Sequence, residues 1–422
     1  MENGMNFPKM IRVRQRFEKL VLEDISQEIF SQIDRISLSS RIKEGESAAI
    51  GCSSRGIANY AGIVKATVKK LQELGLKPFL FPAMGSHGSA SSEGQKKVLE
   101  HYGVTEKAMG APIKSSLDVV QIGETEDGIP VCIDKLANNA DHIVLINRIK
   151  MHTDFEADIE SGLMKMMVIG LGKKTGATRY HQAIMKHGYY RTILTVAHSV
   201  MESGKILFGV GIVENGLSQT AQIGVLPPET LEEEEKKLLK TAKRLFARLP
   251  FEDVDVLIID EMGKDISGTG FDSKVVGRIY MPLIAEEPTS PRIKRIMVCD
   301  LTEKTEGNAD GVGLADFVTQ RLVDKIDLHA LYVNAIAGTE PEHAKIPLTM
   351  KNDRDTIQVA IDSIGLIPTE QLKIMRIKNT ASLSEVMLSD AYKNELSERD
   401  DLELITESKP MTFDSNGNLT AF

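Results

Sequence analysis

Short apolar runs alternate with segments of helical periodicity along almost the whole chain, and that alternation restricts the fold more than any other feature. The runs are Ser47–Gly51, Lys77–Pro82, His142–Ile146, Lys205–Val213, Val254–Ile259, Ile293–Cys299 and Leu372–Ile377. They are nearly continuous in apolar residues, as in strands buried on both faces, not in strands with one wet face. Between them, Ala58–Leu74 carries Ile63, Val64, Val68 and Leu71 at helical spacing, with Gly75 as a stop. Ser91 or Ser92 can cap a helix through His101, and Thr192–Ser203, Leu314–Leu331 and Thr356–Ile364 read as further helices. Strands alternating with helices of this length predict α/β architecture with mostly parallel sheets.

The chain has 422 residues, too many for one ordinary α/β domain. Two α/β domains are expected, 1–249 and 250–422, with the active site in the cleft between them. The boundary follows a charged helix over Glu229–Leu249, whose Glu232–Lys237 run reads as a solvated face. The tail beyond Ser397 is polar and reads as small strands or partly mobile chain.

Composition removes several classes of function. A net charge of −9 argues against a surface that coats nucleic acid. Cys52, Cys132 and Cys299 are far apart, with neither disulfide nor zinc-knuckle spacing. Neither an apolar run of about 18 residues nor a secretory signal core occurs, so a cytoplasmic protein with no membrane partner is expected.

In open α/β sheets, ligands gather where strands end and helices begin. Several such segments carry more chemistry than a turn requires. Gly51-Cys52-Ser53-Ser54-Arg55-Gly56 places Arg55 where an anion could sit, though a surface arginine beside a helix cap explains it too. Gly85-Ser86-His87-Gly88 puts an imidazole among small residues, either a general base or a turn histidine. From Arg148 to His181 the chain carries His152, Lys165, Lys173, Lys174, Arg179 and His181, in a protein that is net acidic. That density suits a polyanion pocket or a solvated basic face. A phosphate-binding P-loop fails at Met167 and a dinucleotide fingerprint fails at Thr175, where each needs glycine. Met262–Gly270 adds Lys264 among glycines and hydroxyls, as a ligand loop or a structural turn. The histidines lack the spacing of a protein-only zinc site, but one histidine could complete a metal held mostly by a cofactor.

These segments together resemble the lactate racemase family. GSHG at 85–88 is similar to the family's TG-x-H loop, and His152 in KMHTDF falls at its second catalytic histidine. SGLMK at 161–165 resembles SGG-x-K, whose lysine carries the cofactor. His181 follows Lys165 by sixteen residues, the family's spacing to its nickel-binding histidine. CSSR at 52–55 is similar to D-x-x-R, and KDI at 264–266 to a second-domain loop. The chain departs from the pattern at Cys52, at Leu163, in a longer stretch between His152 and Lys165, and in having no tryptophan.

The resemblance implies a 2-hydroxy acid racemase or epimerase, with hydride transfer to and from a nickel-pincer nucleotide (nickel pyridinium-3,5-bisthiocarboxylic acid mononucleotide) covalently bound to Lys165. Lys173 and Lys174 compete for that attachment; otherwise they would neutralise its phosphate. His87 and His152 would be the catalytic bases, His181 the nickel ligand, and Arg55 and Lys264 clamps on the substrate carboxylate or on cofactor anions. A small-molecule 2-hydroxy acid is the implied substrate. The family's tryptophan lies against its small substrate, so its absence points away from lactate toward a larger hydroxy or sugar acid, unless another aromatic such as Phe271 replaces it. Cofactor-assembly enzymes are the implied maturation partners. Two other readings stay open: a nicotinamide-dependent hydroxy acid dehydrogenase or epimerase, and a non-catalytic anion-binding protein of the same fold.

Overall fold

The computed structural model describes residues 7–54, 56–85, 87, 91–281 and 285–421. The chain forms two compact α/β units, residues 18–246 and residues 1–17 with 247–422. Among the described residues, no helix is long and apolar enough to cross a membrane.

The unit 18–246 holds a five-stranded sheet in the order Lys77–Pro82, Ser47–Cys52, His142–Arg148, Ile206–Glu214, Thr220–Leu226. The first four strands are parallel and the last is antiparallel. Successive side chains point to opposite faces. Ile143 and Leu145 join one apolar cluster with Phe79, Phe81 and Leu163, while Val144 and Ile146 join another with Ile50, Ile63 and Val64. Both faces are therefore covered, which explains the unbroken apolar runs. Ser91 caps the helix Ser92–His101, its side chain accepting from Gly94 N at 3.0 Å. The hairpin Val119–Glu124 with Pro130–Asp134 forms a separate two-stranded sheet.

The other unit is built on an eight-stranded sheet. Its parallel part runs Leu348–Met350, Phe317–Thr319, Arg292–Leu301, Asp253–Met262, Ile374–Ile377. Glu385–Ser389, Met10–Gln15 and Leu402–Leu404 extend it with antiparallel pairings. Val256, Ile258, Met297, Cys299 and Ile374 form its core with Ile357 and Ala360 of the helix Asp353–Asp362.

Two features differ from the sequence reading. Residues up to 17 belong with the second unit, not with the segment that follows them. Met10–Gln15 is buried at Met10, Ile11 and Val13 and pairs with strands near the far end of the chain. A local apolar pattern cannot name so distant a partner. The helical reading of Leu314–Leu331 is interrupted by the strand Phe317–Thr319, with helices at Gln320–Asp324 and Leu328–Gly338. Cys52, Cys132 and Cys299 are all buried free thiols.

Candidate active site

The segment from Arg148 to His181 folds back on itself beside the carboxyl end of the parallel strands. His142–Arg148 ends, Lys150 pairs with Ser161 as an isolated bridge, and Leu163–Lys165 starts a helical path. That path passes through a π-helical turn over Met166–Gly170 before the helix Lys173–His187. In the turn, Leu171 N donates to Met166 O at 2.9 Å, one residue further than an α-helical bond. Such turns are uncommon and occur often at functional sites. Gly170 is required here, because a Cβ would lie 2.7 Å from Ala83 O. The turn therefore sits against the chain leading into the His87 loop.

His152 is buried, and its Nε2 contacts Lys165 Nζ. Nδ1 accepts from Asp154 N at 3.1 Å and lies 3.3 Å from Asp154 Oδ2. The ring packs against Phe155 and Tyr189, with centroids 4.6 and 5.4 Å away, and those two rings stack on one another at 4.7 Å. Burial, then the Lys165 charge, hold the imidazole well below its usual pKa, so it is neutral at pH 7.

The long stretch between His152 and Lys165 is closed by Glu160. Its carboxylate accepts from His152 N at 2.8 Å and Ala157 N at 3.2 Å and pairs with Lys243 at 2.6 Å.

His181 lies on the helix Lys173–His187, adjacent to the wholly buried Tyr180. Its Nδ1 is buried with no hydrogen-bond partner among the described residues. Burial first, and the Lys165 charge second, push its pKa down to about 4. Both imidazoles therefore respond to one ammonium. A neutral imidazole with an unengaged buried nitrogen is what a metal ligand requires. Among the described residues, no group of three or more His, Cys, Asp or Glu side chains could hold a metal ion. His181 would need its co-ligands from a bound group.

His87 is exposed, and its Nδ1 meets Ser54 Oγ at 2.5 Å. This contact brings Ser54 of the CSSR segment beside His87 of GSHG. Arg55 lies outside the described residues. Cys52, where the resemblance has aspartate, is fully buried with its thiol pushed up to about 12 by burial, so it brings no charge.

The remaining basic residues separate. Lys174 is exposed. Lys173 has no exposure at all and its ammonium lies 2.9 Å from Asp134 Oδ2, so it does not face a nucleotide phosphate as the sequence suggested. Lys264 belongs to the other unit, where it pairs with Asp310 at 2.6 Å and donates to Gly268 O at 2.6 Å. Phe271 is completely buried and cannot stand in for a substrate-facing tryptophan. That unit also contains a cavity of about 390 Å³ lined by Asp260, Asp300, Arg321, Lys325, Asp353 and Arg376. Its bases are already paired with its acids.

One residue of the site was hidden in the charge run Glu232–Lys237. Glu235 is buried, and its Oε2 accepts from Leu163 N and Met164 N at 3.0 Å each. It thereby caps the turn that carries Lys165. Its spacing from Leu231, Leu238 and Leu239 on the buried face of Leu231–Leu245 was the available signal. Leu163, the other departure, fills the space over Gly209, where a Cβ would meet Leu163 Cδ1 at 2.6 Å.

Burial raises the Glu235 pKa from 4.5 to about 7. The folded chain therefore holds a proton that the unfolded chain releases between those values. Stability from this group is full below about 4.5 and is lost as pH rises through about 7. Glu235→Gln is expected to gain on the wild type over that range, by up to about 3 kcal/mol at pH 8. Urea unfolding at pH 5 and pH 8 measures it; a difference that does not change with pH contradicts it.

Residues 9–192 match the family described as lactate racemase N-terminal domain. No curated protein matches the chain. Among solved structures, the chain is similar to the lactate racemase apoprotein from Thermoanaerobacterium thermosaccharolyticum, with a TM-score of 0.51 and 14% identity. That likeness covers 88% of this chain and 99% of the other, and it establishes the two-unit α/β fold.

Proposed function

We propose, with residues 9–192 belonging to the lactate racemase family, that this chain inverts the carbinol carbon of a 2-hydroxy acid. The observation that carries the reading is the grouping of Lys165, His152 and His181. Lys165 Nζ touches the His152 imidazole, and its charge acts on both histidines. The proposed metal ligand, one proposed base and the proposed attachment lysine are thus electrostatically coupled.

The residues fit a nickel-pincer nucleotide. Lys165 would hold it covalently, and the unpartnered Nδ1 side of His181 identifies an imidazole able to ligate nickel. Lys173 is a poor competitor for attachment, since its amine is enclosed against Asp134. When bound, the group supplies a carbon centre that takes up the α-hydrogen with its electron pair and returns it.

The protein's own share is acid–base chemistry and position. The α-hydrogen of a hydroxy carboxylate is far too weakly acidic for imidazole to remove as a proton. The hydroxyl proton is the one a histidine handles. In one direction a neutral imidazole accepts it as the carbinol becomes a carbonyl. On return, an imidazolium gives a proton back to that oxygen. Inversion needs a base for each face, and His87 and His152 are the candidates. Burial holds His152 below its usual pKa, which keeps it neutral and able to accept a proton. Attachment at Lys165 would convert its ammonium to a neutral amide-like group. That removes a cation that depresses both His152 and His181. Arg55, which lies outside the described residues, is the proposed partner of the substrate carboxylate, as the resemblance implies. With no tryptophan in the chain, the substrate is proposed to be larger than lactate.

The test is coexpression with the cofactor-assembly enzymes, followed by peptide mass spectrometry and nickel analysis. The expected result is added mass on the Lys165 peptide, with about one nickel per chain. An unmodified lysine with no nickel, from cells that load a known relative, contradicts the proposal.

A further inference from the structure

Lys173 is an unusual residue to bury. It has no exposed surface, and it begins its helix at φ +51, a backbone region that costs a non-glycine residue about 1 kcal/mol or more. Its ammonium is satisfied from separate parts of the unit. Nζ lies 2.9 Å from Asp134 Oδ2, 2.5 Å from Pro82 O and 3.3 Å from Gln95 Oε1. Asp134 is itself anchored, with Oδ1 accepting from Leu136 N at 2.7 Å and Ala137 N at 3.0 Å.

Gln95 is equally buried and extends the network. Lysine has only donors, so it takes the amide oxygen and turns the amide nitrogen the other way. Nε2 then donates to Gly85 O at 2.9 Å and His87 O at 3.2 Å. These carbonyls belong to the loop that carries His87. The chain Asp134–Lys173–Gln95 therefore ties the backbone of His87 to the first residue of the helix that carries His181. A buried ion pair is weak evidence for stability, because apolar residues of similar volume often serve as well. The direction of the donors is what matters here: they end on the His87 loop.

We infer that Lys173, Asp134 and Gln95 are positioning residues that hold His87 in register with the helix of His181. This rests on the role proposed above for His87. It gives the buried lysine a task that neither phosphate binding nor cofactor attachment accounts for. None of these residues touches the reacting atoms.

The test replaces Gln95. Gln95→Met keeps the volume and loses both functions of the amide. Gln95→Glu keeps an acceptor for Lys173 and loses the donor to Gly85 and His87. In cofactor-free protein, the readouts are the His87 ring resonances and the rate of His87 modification by diethyl pyrocarbonate. In loaded protein, they are kcat and KM. Displacement of the loop is expected to change the His87 signals in both variants. It should lower kcat about tenfold or more with KM within about twofold, since a misplacement near 1 Å can cost two orders of magnitude. If Gln95→Glu does not fold, Gln95→Met alone decides. Unchanged His87 signals and unchanged kcat, with only a lower Tm, would overturn the inference and leave a structural network. A loaded wild type that inverts no hydroxy acid would instead overturn the proposed function, while the His87 signals would still decide the positioning role.

Discussion

Lys165→Ala protein, made alongside the cofactor-assembly enzymes, is expected to emerge with no added mass and no nickel, and with inversion lost entirely. The basis is geometric. Lys165 is partly exposed and its amine lies against His152, whereas Lys173 is sealed in the core and Lys174 points to solvent. The same substitution has a signature that needs no cofactor. Removing the ammonium takes away a charge that lowers both His152 and His181, so both should titrate at higher pH than in the wild type. Histidine NMR across a pH series reads this directly. Full loading of the variant would move the attachment elsewhere. Unchanged titration would mean that Lys165 does not act on the two rings.

His152→Ala and His87→Ala are expected to slow inversion about 10²- to 10⁴-fold, the usual span for loss of a general base. Each variant should lose rate in both directions, because each direction uses one histidine to accept a proton and the other to return one. His152→Ala also empties a space beside Phe155 and Tyr189, so its stability must be measured alongside. His152→Gln separates the effects, since it keeps much of the packing and cannot trade a proton. Turnover in either direction at the wild-type rate would remove that histidine from the mechanism.

Much of this arrangement could be read from the chain itself. The strands of the parallel sheets announce themselves, because burial on both faces makes them unbroken apolar runs. The resemblance pointed to His152, Lys165 and His181, and the contact of Ser54 with His87 joins two segments that the sequence had singled out separately. What stayed hidden depends on partners far away in sequence. Glu235 looks like one more acid in a solvated run until the helix places it under Leu163. Gln95 carries no chemical signal at all. Lys173 and Lys174 look alike in sequence, yet one is enclosed and the other exposed, because neighbouring helix positions face different directions. Met10–Gln15 has the alternation of a strand but no local partner; its partners Glu385–Ser389 and Leu402–Leu404 are brought to it only by the fold.

The most direct test of the central claim follows single enantiomers of lactate and of longer 2-hydroxy acids, including sugar acids, with loaded protein in D₂O. The α-hydrogen is proposed to leave and return with its electron pair, never as a proton shared with water. The account predicts that the opposite configuration accumulates with the original hydrogen kept at the inverted carbon. Deuterium at that carbon, or no inversion of any acid by protein that carries nickel, would contradict it.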